Sequence, residues 1–433
     1  MAEQNISLAQ RNEPLGGAIY LLLFYFLLEY VRPVNPLGMP LAISLVLFIW
    51  WMTLERKIWS PQVVCLYLLV AAIAVMGPFA DNNYAIWIGF RSMVAWLLCI
   101  SIPMICFANS LRKIRVLINA LIALHVYLGL YAVLHGGFGT GGFLKDENDA
   151  ALAINTMLPL AFFSALTAQT IRGKLLYLAA VVSMVAGVVA TNSRGGFVGL
   201  VAVVIFCFLI SPRKKLGLTI GAVLLSIGLL VAPEQYWTEM GTIVPDALDS
   251  EWGTGGQRLR FWGVAMDMFL SNPLFGVGLN NFEYNVKNYV PAELWENDPR
   301  RYLGQAAHSV YFTILSETGA AGALLVAAIT YFSVRSIRSI LTEARRMEAL
   351  ANVDGTTRAN LLAIRGLAYG LGGGMFGYGV SGIFLTAFAY PNFWYVVALV
   401  VALENVTGQL VVALAGRQPL SGPQRTESGQ TVR

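Results

Sequence analysis

Charge is what this chain has least of: 24 acidic and 29 basic residues among 433, or 12%, against 57% hydrophobic ones. Such a composition, with a mean hydropathy of +0.64, excludes an ordinary soluble domain or a disordered chain and makes length a poor guide to domain number. Cysteine is scarce too. Cys65, Cys99, Cys106 and Cys207 all fall inside apolar runs without metal-ligand spacing, so they read as packing residues. The glycine turn at 275–279 is too short for a nucleotide-binding loop, and no Ser or Cys nucleophile arrangement stands out. The first apolar run, 15–31, has no small-residue cleavage site and reads as an anchor. A net charge of +5 reflects orientation signals in such a chain; no nucleic-acid partner is expected.

What the chain has in abundance is apolar runs near twenty residues, long enough to cross a hydrocarbon core of about 30 Å. The fold class expected is an all-α polytopic membrane protein with about twelve spans: 15–31, 38–54, 62–80, 87–108, 114–134, 150–170, 174–192, 195–211, 216–233, 309–333, 361–389 and 391–415. Every second connection is basic, at Arg56–Lys57, Arg112 to Arg115, Arg172 and Lys174, Arg213 to Lys215, and Arg335 to Arg358. The positive-inside rule puts these connections and both termini in the cytoplasm. The organisation that follows is a cytoplasmic tail (1–14), nine spans (15–233), a large outer loop (234–308) forming a helical cap, and three spans (309–415). The last three are interrupted by a cytoplasmic loop (334–360), expected as a short surface helix, and a polar tail (416–433) reads as disordered.

Three outer segments carry the chemistry. Asp146, Asn148 and Asp149 follow a glycine-rich turn at the start of a span, where they read either as helix caps or as ligand contacts. Arg194, in the tight turn SRGG (193–196), sits at a helix N-terminus whose amides already favour an anion, or else snorkels to headgroups. In the amphipathic stretch 256–270, Arg258 shares a helical face with Trp262, Ala265 and Phe269. Arg260 points about 200° away, toward Val264 and Asp267. His308 stands directly before the apolar run beginning at Ser309, as a cap or as a reacting group. Gly319 and Gly322 follow, spaced for another helix to pack closely.

Outward-facing arginines with an imidazole suit a lipid-linked diphosphate. Guanidinium stays charged and offers paired donors to phosphate oxygens. Arg194 and Arg258 would stabilise the departing diphosphate, and His308 would take the proton of an acceptor hydroxyl. A metal site built from Glu234, Glu239, Asp246, Asp249 and Glu251 is the competing reading; their spacing matches no ligand set, and no metal or other cofactor is expected. A transporter would show charged or broken helices at mid-membrane depth and related halves, which the sequence does not display.

The motifs SRGG (193–196), QRLRFW with NPLFGVGLNNF (257–282), and His308–Ser309 followed by Gly319 to Gly322 together resemble the O-antigen ligase and polymerase superfamily. The resemblance is strongest over about 140–325. It implies a bacterial inner-membrane glycosyltransferase with a periplasmic active site, working in lipopolysaccharide biosynthesis. The donor would be an undecaprenyl-diphosphate-linked glycan and the acceptor lipid A–core oligosaccharide, without a metal. It places the essential arginines on Arg194 and Arg258 and the essential histidine on His308. Arg260 is an additional basic residue beside the diphosphate, and Asn148 and Asp149 fall where the superfamily often carries an Asn-Asp pair. A polymerase and a protein O-glycosylation ligase on the same scaffold differ only in acceptor.

Overall fold

The structure, a computed structural model, describes residues 14–33, 38–211, 214, 234–241, 254–349 and 354–415. Among these the chain is helical, without a β-strand. Its elements are α1 (Gly17–Val31), α2 (Met39–Met52), α3 (Pro61–Met76), α4 (Asn83–Phe107, with a π-helical stretch over Val94–Ser101), α5 (Leu111–Leu134), α6 (Glu147–Thr167), α7 (Ile171–Ala190) and α8 (Arg194–Ile210). After these come α9 (Glu234–Gly241), α10 (Thr254–Ser271), α11 (Phe282–Tyr289), α12 (Ala292–Asn297), α13 (Val310–Glu348), α14 (Gly355–Ser381) and α15 (Pro391–Ala415). The helix starts are written locally: Ser60, Ser110, Asp146, Thr170, Ser193 and Asp354 each cap their helix, the side-chain oxygen accepting a backbone N–H of its first turn.

Seven of the described helices are long and apolar enough to cross a membrane: α4 to α7, α13, α15 and the run Pro61–Phe79 that begins with α3. Three further apolar helices, α1, α2 and α8, are shorter. Leu27, Ile49, Leu68, Leu176, Ile205, Leu324 and Val412 stand exposed on these helices, an apolar surface that needs lipid rather than water around it. The expected span at 216–233 and the tails 1–13 and 416–433 lie outside the described residues.

α6 is the central post, with 89% of its most apolar stretch buried. α14 lies against it through glycine: a Cβ at Gly374 or Gly377 would come within 2.6 Å of the backbone oxygens of Thr156 and Asn155. Small residues let two helix backbones approach where the hydrophobic effect gives no help. The limits of α14 differ from the expected 361–389 because the polar residues 355–360, capped by Asp354, open the helix, and the apolar residues 382–389 lie beyond its end. The helix stops at Ser381, turns tightly over Gly382–Phe384, and residues 385–390 return along the bundle end.

α13 corrects two expectations. Its C-terminal half continues to Glu348, so 334–348 is no separate surface helix. Ile337, Ile340, Ala344 and Met347 are buried, an apolar stripe at helical spacing that holds the extension against its neighbours. Its N-terminal half is broken at Gly319, with φ 61° and ψ −161°. The partner packed there is not a helix but the loop after α10. Val277 and Gly278 donate to the carbonyls of Ser316 and Glu317, while Ala320 and Ala321 donate to Pro273 and Leu274. The Glu317 carboxylate accepts from the backbone N–H groups of Asn280 and Phe282 at 2.9 and 3.1 Å.

A spanning helix is therefore broken, and His125 and Glu317 lie buried within helices, both contrary to expectation. At Gly319 the break is filled by the chain's own loop, and the Glu317 carboxylate is consumed by that loop's amides; neither is left to hold a transported ion. The conformation of Gly319 belongs to a region essentially reserved for glycine, and a Cβ there would lie 2.6 Å from the backbone of Leu274 and Phe275. Gly319→Ala is expected to cost about 2–4 kcal/mol and to lower the melting temperature of the purified protein. Gly263→Ala, in an open helical position, is expected not to lower it and to raise it slightly.

Candidate active site

The loop between α8 and α13 has a core of its own. Phe261, Val264, Ala265 and Met268 of α10 pack with Val277, Phe282, Val286, Val290, Tyr302 and Ala307, and the partly buried Trp295 and Phe312 close the cluster. The amphipathic helix expected over 256–270 is α10, ended as the Ser-Asn-Pro sequence requires. This small core fixes α10 at the end of the bundle where the turns before α6, α8, α13 and α15 also meet.

α10 sorts its two arginines as helical geometry demands. Arg260 turns into the loop's own body, where it donates to the Tyr302 hydroxyl at 3.3 Å. Arg258 turns to the bundle, its guanidinium 5.7 Å from the ring centre of Phe384. Among the described residues Arg258 has no hydrogen-bond or ion-pair partner. It is half-buried, and burial first, then the charge of Arg194, pull it below the usual guanidinium range. Two cations close enough to repel, one of them partly desolvated, make a place where an anion is favoured.

One turn beyond Arg258, Trp262 ties the same helix to His308. Its indole donates to the Ala307 carbonyl at 3.0 Å, and its ring stacks on Phe312 at 5.0 Å. His308 itself has a left-handed backbone, φ 47°, a conformation that costs a non-glycine residue roughly 1–2 kcal/mol. It is held there from both sides: the preceding carbonyl by Trp262, and its own N–H by the Thr386 hydroxyl, which accepts at 2.9 Å. The imidazole has no hydrogen-bond partner among the described residues. Burial lowers its pKa, and the charge of Arg258 lowers it further; the carboxylate of Asp146 opposes both.

Arg194 opens α8. Ser193, buried, caps that helix by accepting from Gly196 N–H at 2.8 Å and donates its own proton to Asn148 Oδ1 at 2.6 Å. Asn148 in turn donates to Asp146 at 2.7 Å. The start of α6 thus holds the start of α8, and Gly195 packs against Phe384, the ring beneath Arg258. Asp149 is buried, closing the capping box with the Asp146 N–H and accepting from the Tyr390 hydroxyl at 3.0 Å. Both members of the Asn-Asp pair are therefore engaged within the protein.

The structure brings Arg194, Arg258 and His308 together and sets Arg260 apart. Sequence reasoning missed Phe384, Thr386 and the proximity of Asp146 to His308. The first two fall within the expected span 361–389, and nothing local marks them. Among the described residues no group of three or more His, Cys, Asp or Glu is gathered to hold a metal ion. Asp246, Asp249 and Glu251 lie outside the described residues.

These features define a multi-pass, all-helical membrane protein with an anion-accepting, imidazole-bearing site at one end of its bundle. Residues 179–327, about a third of the chain, match the model of the family described as O-antigen ligase, which supports a likeness to the O-antigen ligase superfamily. The matched stretch contains Arg194, Arg258 and His308. None of the curated proteins matches the chain. At the level of the family, the role is that of a glycosyltransferase-like ligase or polymerase.

Proposed function

We propose that this protein is an O-antigen ligase, transferring a polysaccharide from undecaprenyl diphosphate to lipid A–core oligosaccharide at the periplasmic face of the bacterial inner membrane. The observation that carries the reading is Arg258: a half-buried guanidinium without a hydrogen-bond acceptor among the described residues, within the field of Arg194 and itself acting on His308. The alternation of basic connections supports cytoplasmic termini and an outer site.

In this reaction the acceptor hydroxyl attacks the anomeric carbon of the donor sugar, and its proton passes to the neutral imidazole of His308. The bond from that carbon to the diphosphate oxygen breaks with inversion, and undecaprenyl diphosphate leaves. Negative charge grows on the bridging oxygen as it departs. Arg194 and Arg258, with the first amides of α8, stabilise it without reorganising. No metal enters this scheme; transfer is expected to persist in a strong chelator.

The test is transfer by the purified protein in lipid nanodiscs, supplied with undecaprenyl-diphosphate-linked glycan and lipid A–core. The expected product is glycan on lipid A–core with free undecaprenyl diphosphate. Lengthening of the donor's own chain instead would make the protein a polymerase, and loss of transfer on chelation with recovery on a divalent ion would overturn the metal-free scheme.

The site's electrostatics give a signed pH dependence. The working form of a base is deprotonated, so activity falls on the acid side as His308 takes up a proton. Burial and Arg258 lower its pKa, so the acid limb of kcat/KM is expected below the ordinary histidine value of about 6.5. Asp146 opposes that shift. Asp146→Asn keeps a competent helix cap and removes the opposing charge, so the limb is expected to move further down. A limb that moves upward would separate Asp146 from the titrating group.

A further inference from the structure

At the end of the bundle away from Arg194 and His308 lies a cavity of about 770 Å³ that the transfer reaction does not use. The two sites are joined by the same helices. α6 starts at Asp146 beside the first and ends at the cavity with Ser164 and Thr167, and α14 reaches the first at its C-terminal turn and the second at Thr356 and Asn360. A helix of α6's length spans about 30 Å.

α5 supplies the charge. Arg112, Arg115 and Asn119 follow one another at helical spacing along a single face and all line the cavity. Across it, the Tyr177 hydroxyl of α7 donates to Asn119 Oδ1 at 2.8 Å. No Asp or Glu is among the described lining residues. Asp354, just beyond them, caps α14 by accepting from Thr357 N–H. The Arg115 guanidinium is half-buried and, among the described residues, has neither a hydrogen-bond nor an ion-pair partner. An orientation signal needs only basic residues near the bilayer surface. It does not need one turned inward, into a chamber walled by four helices with no carboxylate among its described lining residues.

We propose that this cavity binds a phosphate group, carried either by an anionic lipid headgroup or by a soluble phosphate ester. Guanidinium matches phosphate with paired, charge-assisted donors. The hydroxyls of Ser164 and Thr356 and the amide of Asn360 give the remaining phosphate oxygens partners of neutral charge. The volume suits a headgroup or small ester, and basic pockets between spanning helices are the usual seat of anionic headgroups. The site is independent of the transfer reaction at the other end.

The test follows the melting temperature of the purified full-length protein in neutral detergent, where a ligand of the folded state raises it by mass action. Dioleoylphosphatidylglycerol, dioleoylphosphatidylcholine and inorganic phosphate are added separately. Phosphatidylglycerol is expected to stabilise the wild type and phosphatidylcholine not to. Arg115→Gln is expected to weaken the response by about tenfold or more in lipid concentration, while Arg172→Gln, an exposed cation outside the cavity, responds as wild type. Stabilisation by inorganic phosphate alone, lost in Arg115→Gln, assigns the site to a soluble phosphate ester. An equal response to phosphatidylcholine, the absence of any response, or equal losses in Arg115→Gln and Arg172→Gln would overturn the proposal. Should Arg115→Gln not fold, Ala363→Phe fills the cavity from α14 and must abolish the response; a retained response overturns the proposal as well.

Discussion

Replacing Arg258 by alanine is expected to lower turnover by about 10²–10³, the cost of removing one preorganised donor from a developing oxyanion. Arg260→Ala is expected to leave turnover close to wild type. The two arginines are neighbours on one helix but differ in what they face. Arg258 lies over Phe384 in the field of Arg194 and has no acceptor among the described residues. Arg260 donates to Tyr302 within the loop's own core, a bond worth about 1 kcal/mol of stability. Arg258→Lys retains a positive charge but loses the planar pair of donors, so it is expected to recover only a small part of the loss. Steady-state transfer assays of the three variants decide the matter. If Arg260→Ala proves the more damaging, the diphosphate lies on the other face of α10 and Arg258 has been assigned wrongly.

The opposite facing of these arginines was legible in the sequence because it rests on helical geometry alone. A helix over 256–270 must place Arg258 with Trp262, and Trp262 then reaches Ala307 and Phe312 beside His308. Segment polarity was similarly legible, and with it the assembly of the site's three members on turns that alternate along the chain. Less visible was everything that depends on a partner distant in sequence. Gly319 looks like a residue for helix packing until the loop at 273–278 is known to hydrogen-bond across it. Phe384 and Thr386 continue an apolar run that reads as membrane. Only the tight turn after Ser381 brings them back to Arg258 and His308.

His308→Ala is expected to reduce turnover by about 10²–10⁴, the range for loss of a general base, but alanine alone does not separate chemistry from architecture. The backbone at this position is left-handed, so alanine brings its own strain while removing the imidazole. Asparagine tolerates that backbone better than other non-glycine residues and cannot act as a base. His308→Asn is therefore expected to match the wild type in melting temperature and in affinity for undecaprenyl diphosphate, yet to lose turnover as His308→Ala does. Added imidazole is expected to restore part of the activity of His308→Ala, with a dependence on buffer pH that follows imidazole's own titration. Thr386→Val removes the acceptor of the His308 N–H without touching the ring. If Thr386 only holds the ring in place, this variant lowers kcat modestly and leaves the acid limb of the pH profile where it was. A His308→Asn protein that binds the diphosphate much more weakly than wild type would make the imidazole a ligand of the donor, and the proton acceptor would then have to be sought elsewhere.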